Sequence, residues 1–375
     1  MSEMVRMAVI GTGAMGRQYA EWVTEGQAPH MRISAVTARK DEAVAWAKEK
    51  LNDDVAIFRS TEELFEHPEL YDAVLVVTPH PTHCDIVCKA FELGKSVFCD
   101  KPLSHSLKQA NRMVAAAKAH PDQKFAVMFH MRYFGVYMKV KELMEEKAIG
   151  EVLRVTLQNY NFLRTEHYHH SSPWRSSWTG EGGGMLINPG HHLLDVYTWI
   201  AGVPDRLYAN MKFGKYNDFL VDDEATIVMD YDDGRTGTFM MSSGEGIKED
   251  KFEIVGTQGS INVTGTKVIL QKFEDSTNYR KTATVNNAAD MKYEEPVVFD
   301  CPTVLNRGDM LENFARAMLY GDQLVAPGEE GLNALNVATA AYLSGWEHRE
   351  VELPVDPEVY EERLQEHVAL EQSRK

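Results

Sequence analysis

The stretch Met7-Ala8-Val9-Ile10-Gly11-Thr12-Gly13-Ala14-Met15-Gly16 decides the fold. A short apolar run, then glycines spaced G-x-G-x-x-G, then an amphipathic segment predict a strand, a tight turn and a helix. Glycines at 11, 13 and 16 allow the turn, a close backbone approach to a pyrophosphate, and close helix–strand packing, and the helix N-terminus favours an anion. With its context right on both sides, the pattern assigns Gly11, Gly13, Ala14, Met15 and Gly16 to dinucleotide binding.

Outward from this stretch, residues 5 to 128 alternate short apolar runs with longer amphipathic ones, as in a parallel sheet joined by crossover helices. Strands are expected at Met7–Ile10, Ile33–Thr37, Ala73–Val77, Ser96–Cys99 and Phe125–Met128, and helices near 14–25, 41–51, 82–93 and 105–120. Ser60 and Glu63 have capping-box spacing, and Gly94 stands where a helix would end. After a helix at about 135–148 the pattern changes to alternating strands: Glu151–Phe162, Ala225–Tyr231, Arg235–Ser242, Phe252–Val255 and Ser260–Leu270. Asp232-Asp233-Gly234 and Thr257-Gln258-Gly259 read as hairpin turns. Residues 274–300 read as polar and irregular, and the tail after Pro357 as a surface helix. The expected fold class is α/β: an N-terminal doubly wound Rossmann domain over 1–128, and an α+β domain over 129–375 built on a large, mostly antiparallel sheet. A broad sheet needs cover, so a homo-oligomer, dimer or tetramer, is expected.

Lys plus Arg number 39 and Asp plus Glu 56, a net charge of −17, which argues against a nucleic-acid partner. It also slightly favours neutral polyols over anionic substrates, although local charge can override the net value. No apolar run approaches the roughly 20 residues of a membrane span. Met1 to Arg6 leaves no room for an apolar signal region, so a cytoplasmic protein is expected. Cys84, Cys88, Cys99 and Cys301 make no disulfide framework and read as reduced core thiols.

The end of the second strand bears on which dinucleotide binds. A carboxylate there suits a ribose 2′-hydroxyl and an arginine a 2′-phosphate. Ala38-Arg39-Lys40 precedes Asp41, so Arg39 favours NADP, but a solvated basic turn explains it equally, and the cofactor is NAD(P).

Further groups follow at other strand ends and downstream: Thr78-Pro79-His80-Pro81-Thr82-His83, then Asp100-Lys101-Pro102, and then Gly182-Gly183-Gly184-Met185-Leu186-Ile187-Asn188-Pro189-Gly190-His191-His192-Leu193-Leu194-Asp195. Taken with the glycine fingerprint, the chain resembles the glucose–fructose oxidoreductase/inositol dehydrogenase (Gfo/Idh/MocA) family over nearly its whole length. That family carries T-P-N-x-x-H, E-K-P and G-G-G-x-x-x-D-x-G-x-H-x-x-D. Three positions depart from it: His80 stands for Asn, Asp100 for Glu, and Asn188 for Asp, the last removing a charge.

The resemblance implies a nicotinamide enzyme that interconverts a secondary hydroxyl and a ketone on a sugar, glycoside or inositol, with the nicotinamide expected between the two domains. Thr78, Pro79, His80, His83, Asp100 and Lys101 would lie at the cofactor. Lys101 and His192 would handle the hydroxyl proton, and Asn188 would orient substrate or imidazole. The chemistry agrees, since hydride removal needs a base with a pKa near the working pH and histidine supplies one. Asp195, at i+3 from His192, could share its helix face.

Glu166-His167-Tyr168-His169-His170 suggests metal ligands, and as a strand would put His167 and His169 on one face. No second ligand group follows, so no metal is expected. Tyr160, Phe162, Arg164, Trp174, Arg175 and Trp178 read instead as a pocket wall, with aromatic faces for a sugar ring and arginines for its oxygens, or as an ordinary loop with buried aromatics. His130 and Arg132, at the join of the domains, are candidate cleft residues. Two other functions remain open: an NAD-dependent glycosidase that oxidises the sugar transiently, and a non-catalytic dinucleotide-dependent sensor.

Overall fold

The computed structural model describes residues 4–159, 162–172, 174–247, 250–302 and 308–374. The chain divides into two compact units, Met1–Tyr133 with Leu305–Leu332, and Phe134–Val304 with Asn333–Lys375. The expected boundary at 128/129 therefore moves a few residues onward, and one later segment returns to the first unit.

In the first unit β1 (Val5–Ile10), α1 (Ala14–Thr24), β2 (Met31–Thr37), α2 (Asp41–Lys50), β3 (Ala56–Phe58), α3 (Thr61–Phe65), β4 (Ala73–Val76), α4 (His83–Glu92), β5 (Ser96–Cys99), α5 (Leu107–Ala119) and β6 (Phe125–Val127) follow in turn. The strands pair in parallel in the order β3-β2-β1-β4-β5-β6. The chain therefore winds one way from β1 to β3 and the other way from β4 to β6, and the C-terminal ends of β1 and β4 flank the switch point where such sheets bind ligands. The apolar runs are buried throughout: Val9, Leu75, Val76 and Val97 are all 0% exposed. Each such side chain contributes about 1.5–3 kcal/mol. Ser60 caps α3 by accepting from the Glu63 amide, and Gly94 takes φ +71° just past α4, both as expected.

The second unit comprises α6 (Gly135–Glu145), β7 (Val152–Asn159), α7 (Glu166–His170), α8 (His191–Ala201), β8 (Arg206–Phe213), β9 (Asp222–Asp230), β10 (Thr236–Ser242), β11 (Lys251–Gly256), β12 (Gly259–Thr264), β13 (Lys267–Lys272), α9 (Ser276–Thr282) and β14 (Val297–Asp300). After α10 (Asp309–Tyr320) come α11 (Gly331–Glu347), β15 (Val351–Glu352) and α12 (Pro357–Ser373). Its sheet runs β14-β13-β12-β11-β7-β10-β9-β8-β15, antiparallel except for the pair β7 and β10. The single strand expected over Ser260–Leu270 is a hairpin, β12 and β13, because Gly265 at φ +56° turns the chain. The segment 274–300 contributes α9 and β14, and α12 is more than a surface helix, since it buries Tyr360, Leu364 and Glu371.

Helix α10 belongs to the first unit. Met310, Leu311, Phe314 and Ala315 form one apolar face and pack into the core that holds Trp22, Ile33 and Phe98. Cys84, Cys88 and Cys99 are buried, and all four cysteines are free.

Candidate active site

The first unit brings the glycine turn, the end of β2, the 78–83 segment and the 99–103 segment to one end of its sheet. Gly11 has φ +104°, and a Cβ there would lie 2.6 Å from the carbonyl oxygen of Val77. A Cβ on Gly16 would meet the Gly11 carbonyl oxygen at 1.9 Å, so helix and turn touch backbone to backbone. Thr37 holds the turn from β2: its Oγ1 accepts from the Gly11 amide (3.0 Å) and its carbonyl from the Thr12 hydroxyl (2.8 Å). Gly13 faces open space, and α1 begins with no side-chain cap and no acid in its first turn. Its leading amides thus fit a pyrophosphate, with Ala14 and the exposed Met15 beside them.

At the end of β2, Arg39 and Lys40 are exposed. Asp41 pairs with Arg59 at 2.8 Å, and Arg39 forms no ion pair among the described residues. Across the sheet, Thr82 Oγ1 donates to Thr78 Oγ1 (2.7 Å), and His80 stands edge-on to His83 with ring centroids 5.7 Å apart. His83 is fully buried, with Nε2 2.7 Å from the Thr78 carbonyl and Nδ1 within 3.2 Å of the carbonyls of Pro102 and Leu103. It stands between the segment after β4 and the segment after β5, and burial lowers its pKa against the pull of the carbonyls around it. Asp100 accepts from the Lys101 amide (2.9 Å) and faces the Tyr19 hydroxyl (3.5 Å), and burial pushes its carboxyl up despite the adjacent lysine. Lys101 itself is half-buried at the end of β5.

His130 is half-buried in a turn of 3-10 helix. Arg132 has no exposed surface: it donates to the Val325 carbonyl (3.0 Å), pairs with Glu330 and lies 5.3 Å over the Phe129 ring. It is a structural arginine, not a cleft residue, because a buried guanidinium must be neutralised where it sits.

In the second unit, the segment from Arg164 to His192 folds around two buried carboxylates. Asp222, at the start of β9, accepts from the amides of Gly184 and Leu186 (each 2.7 Å) and from the Tyr342 hydroxyl (2.6 Å). A Cβ on Gly184 would lie 2.0 Å from the Asp222 carbonyl oxygen, so the glycine run serves close packing against β9. Burial raises the Asp222 carboxyl, and its three donors oppose that shift. Glu181, 3% exposed, accepts from the Ser176 amide (2.8 Å) and from Asn188 Nδ2 (2.6 Å). The charge that Asn188 lacks is thus supplied seven residues earlier, directly on its amide. The signal was present in the sequence as a glutamate just before the glycine run.

His191 is fully buried at the start of α8, whereas His192 beside it is half-buried. Asp195, one turn on, is buried, and its carbonyl accepts from the Thr198 hydroxyl.

The histidine-rich segment is the short helix α7 and not a strand. Residues two apart on a helix do not share a face. His167 is exposed, while His169 turns inward, with Nδ1 2.6 Å from Ser176 Oγ and its ring 4.9 Å from Phe219. Arg164, Tyr168, His169 and Asn188 line one small cavity, none of whose other lining residues except Glu181 and Asp222 is acidic. Trp174 is 42% exposed, and Tyr160 lies outside the described residues. Trp178 is only 1% exposed, packed edge-on against Tyr342 and Trp346 and tilted against His367, and its indole donates to the Leu220 carbonyl. It is core and offers no face to a ligand. Glu371 of α12 accepts from the amides of Trp178 and Thr179, which locks this tryptophan in place.

Two family descriptions match the chain: "Oxidoreductase family, NAD-binding Rossmann fold" over residues 5–129 and "GFO/IDH/MocA C-terminal domain" over 137–262. The chain belongs to the Gfo/Idh/MocA oxidoreductase family. Among Gfo/Idh/MocA relatives, a myo-inositol 2-dehydrogenase from Thermotoga maritima is 26% identical over 93% of this chain and 98% of its own length. An NADP-dependent D-xylose 1-dehydrogenase from Haloarcula marismortui is 23% identical over 90% of each chain. The structure of a levoglucosan dehydrogenase in complex with NADH superposes with a TM-score of 0.78 at 18% identity, covering 94% of this chain and 100% of that one. The last likeness concerns fold alone.

Proposed function

We propose that this chain is an NAD(P)-dependent dehydrogenase that interconverts a secondary hydroxyl and a ketone on a sugar, glycoside or inositol. The observation that carries this reading is the cradle at Gly11, Gly13 and Gly16: a helix start without cap or acid, open where a phosphate would lie. The named relatives act on inositol and xylose, which supports the substrate class. The bound nicotinamide supplies the hydride acceptor. Lys101 donates to the substrate oxygen, His192 takes the hydroxyl proton, and Asn188, held by Glu181, orients the ring oxygens. Neither Lys101 nor His192 is sealed into the core, in contrast to the fully buried Leu103 and His191 near them.

The direct test is reduction of each dinucleotide across inositols, aldoses, 1,5-anhydro sugars and glycosides. Substrate-dependent absorbance at the reduced-nicotinamide band supports the reading, and silence across the panel contradicts it. Release of an aglycone without net reduction would select the transient-oxidation glycosidase instead.

Exposed Arg39, with Asp41 engaged by Arg59, supports NADP as the preferred cofactor. Arg39→Ser should raise the KM for NADP about 10-fold or more with little change for NAD, since one charge-assisted contact is lost; equal changes for both would remove Arg39 from the 2′ end. Glu181→Gln should lower kcat/KM for the sugar about 10-fold, because it replaces a charge-assisted hold on Asn188 by a neutral one. Unaltered kinetics would show that the amide needs no such hold.

We also infer a cytoplasmic homo-oligomer. Among the described residues no helix is long and apolar enough to cross a membrane. The outer face of the large sheet carries Tyr208 opposite Val228 on neighbouring strands, 45% and 48% exposed, and a second copy would cover them. Sedimentation should report a dimer or larger.

A further inference from the structure

The loop after β7 holds two arginines that form no ion pair among the described residues. The Arg164 guanidinium lies 4.6 Å from the Tyr168 ring centroid and that of Arg175 4.5 Å, so one aromatic ring supports both. Phe162 and Trp174 back them at 5.3 and 4.6 Å. Arg175 is fixed further by bonds to the Tyr168 hydroxyl (2.7 Å) and Ser171 Oγ (3.1 Å). Neither arginine forms an ion pair among the described residues, in a chain that carries 56 acids against 39 bases. Others do find one: Arg6 pairs with Asp72, Arg154 with Glu253 and Arg206 with Asp232.

Two ring or guanidinium nitrogens at this place are buried and have no hydrogen-bond partner among the described residues, Arg164 Nε and His169 Nε2. His169 has its other nitrogen on Ser176 Oγ, so Nε2 is the one left for a ligand. A buried donor left unmet is costly, more so on a charged group, and is expected where a ligand completes it. The carboxylates nearby are already engaged: Glu181 by two donors, Asp222 by three, and Asp223 by the amides of Lys215 and Tyr216. Arg164 and His169 share their cavity with Asn188.

We propose that Arg164, Arg175 and His169 form an anion subsite beside Asn188, so that the sugar oxidised here carries a negatively charged substituent, a carboxylate or a phosphate ester. This rests on the dehydrogenase reading above for the word sugar, and on the two unpaired guanidiniums with the two unmet buried nitrogens for the charge. Two aromatic-backed guanidiniums are preorganised for oxyanions, and side-on contact through a free Nε suits a planar carboxylate.

Calorimetric titration of the full chain, loaded with NADH or NADPH, tests it with matched pairs: methyl glucoside against methyl glucuronide, galactose against galacturonate, glucose and inositol against their monophosphates. The charged member of at least one pair should bind about 10- to 100-fold more tightly, the gain of one or two hydrogen bonds to a charged group, and added salt should shrink the gap. Uronates and phosphates are separate arms and show which oxyanion is meant. In Arg164→Gln and Arg175→Gln the gap between charged and neutral members should fall below about 5-fold, with Arg164→Lys restoring part of it. Circular dichroism of each variant verifies the fold. Equal binding of charged and neutral members, or binding of no charged member, overturns the subsite. Cofactor reduction by neutral sugars without any charge preference would leave the dehydrogenase standing and the subsite refuted; charge-selective binding without reduction would do the reverse.

Discussion

Lys101→Ala is expected to lower kcat by about 10³-fold, within the range of general acid–base contributions, while dinucleotide affinity stays within about 3-fold. The backbone at this point is held independently of the side chain: Asp100 accepts the Lys101 amide, and His83 bridges the Thr78 carbonyl to those of Pro102 and Leu103. Removing the amine therefore leaves the turn in place and takes away only the group proposed to meet the substrate oxygen. His192→Ala should cost a similar factor. Groups that act on one proton are non-additive, so the double variant should fall little further than either single one. Steady-state kinetics with fluorescence titration of the reduced cofactor separates the two quantities. Substantial turnover in both single variants would refute their assignment.

Asp222→Ala is expected to destabilise the second unit by about 3–5 kcal/mol, because the amides of Gly184 and Leu186 and the Tyr342 hydroxyl would lose their buried acceptor together. Cavity formation adds to the loss. For a unit of this size the melting temperature should fall by roughly 10 °C. The same change should loosen the backbone from Gly184 to Asn188, so substrate affinity should fall as well. Differential scanning calorimetry and hydrogen exchange over residues 182–188 check both statements. An unchanged melting temperature would show that the glycine run is held by something other than this carboxylate.

The ends of the parallel strands could be read from sequence because burial on both faces writes them as unbroken apolar runs, such as Ala73–Val76 and Ser96–Cys99. β3 is only Ala56-Ile57-Phe58, too short to show a period, and β8 escapes notice because Tyr208 on the exposed face and small Ala209 on the buried one blunt its alternation. Burial of single polar or aromatic residues was harder to foresee. Arg132 is neutralised by Glu330 from 198 positions away, and Trp178 is fixed by Glu371 from 193 positions away, partners that no local spacing announces. The same holds for Asp222, whose amide partners Gly184 and Leu186 lie 38 and 36 residues upstream. Asn188 read as a missing charge because the motif is linear, whereas Glu181 reaches it through the fold.

The proposed mechanism requires Lys101 and His192 to serve one hydroxyl. A crystal structure of the complex with dinucleotide and a slow substrate or ketone product measures this directly. Lys101 Nζ and a His192 ring nitrogen should each lie about 2.6–3.2 Å from the oxygen on the carbon facing the nicotinamide, or one water away. If either stands well beyond that reach, with another side chain against the oxygen, the proposed mechanism is wrong.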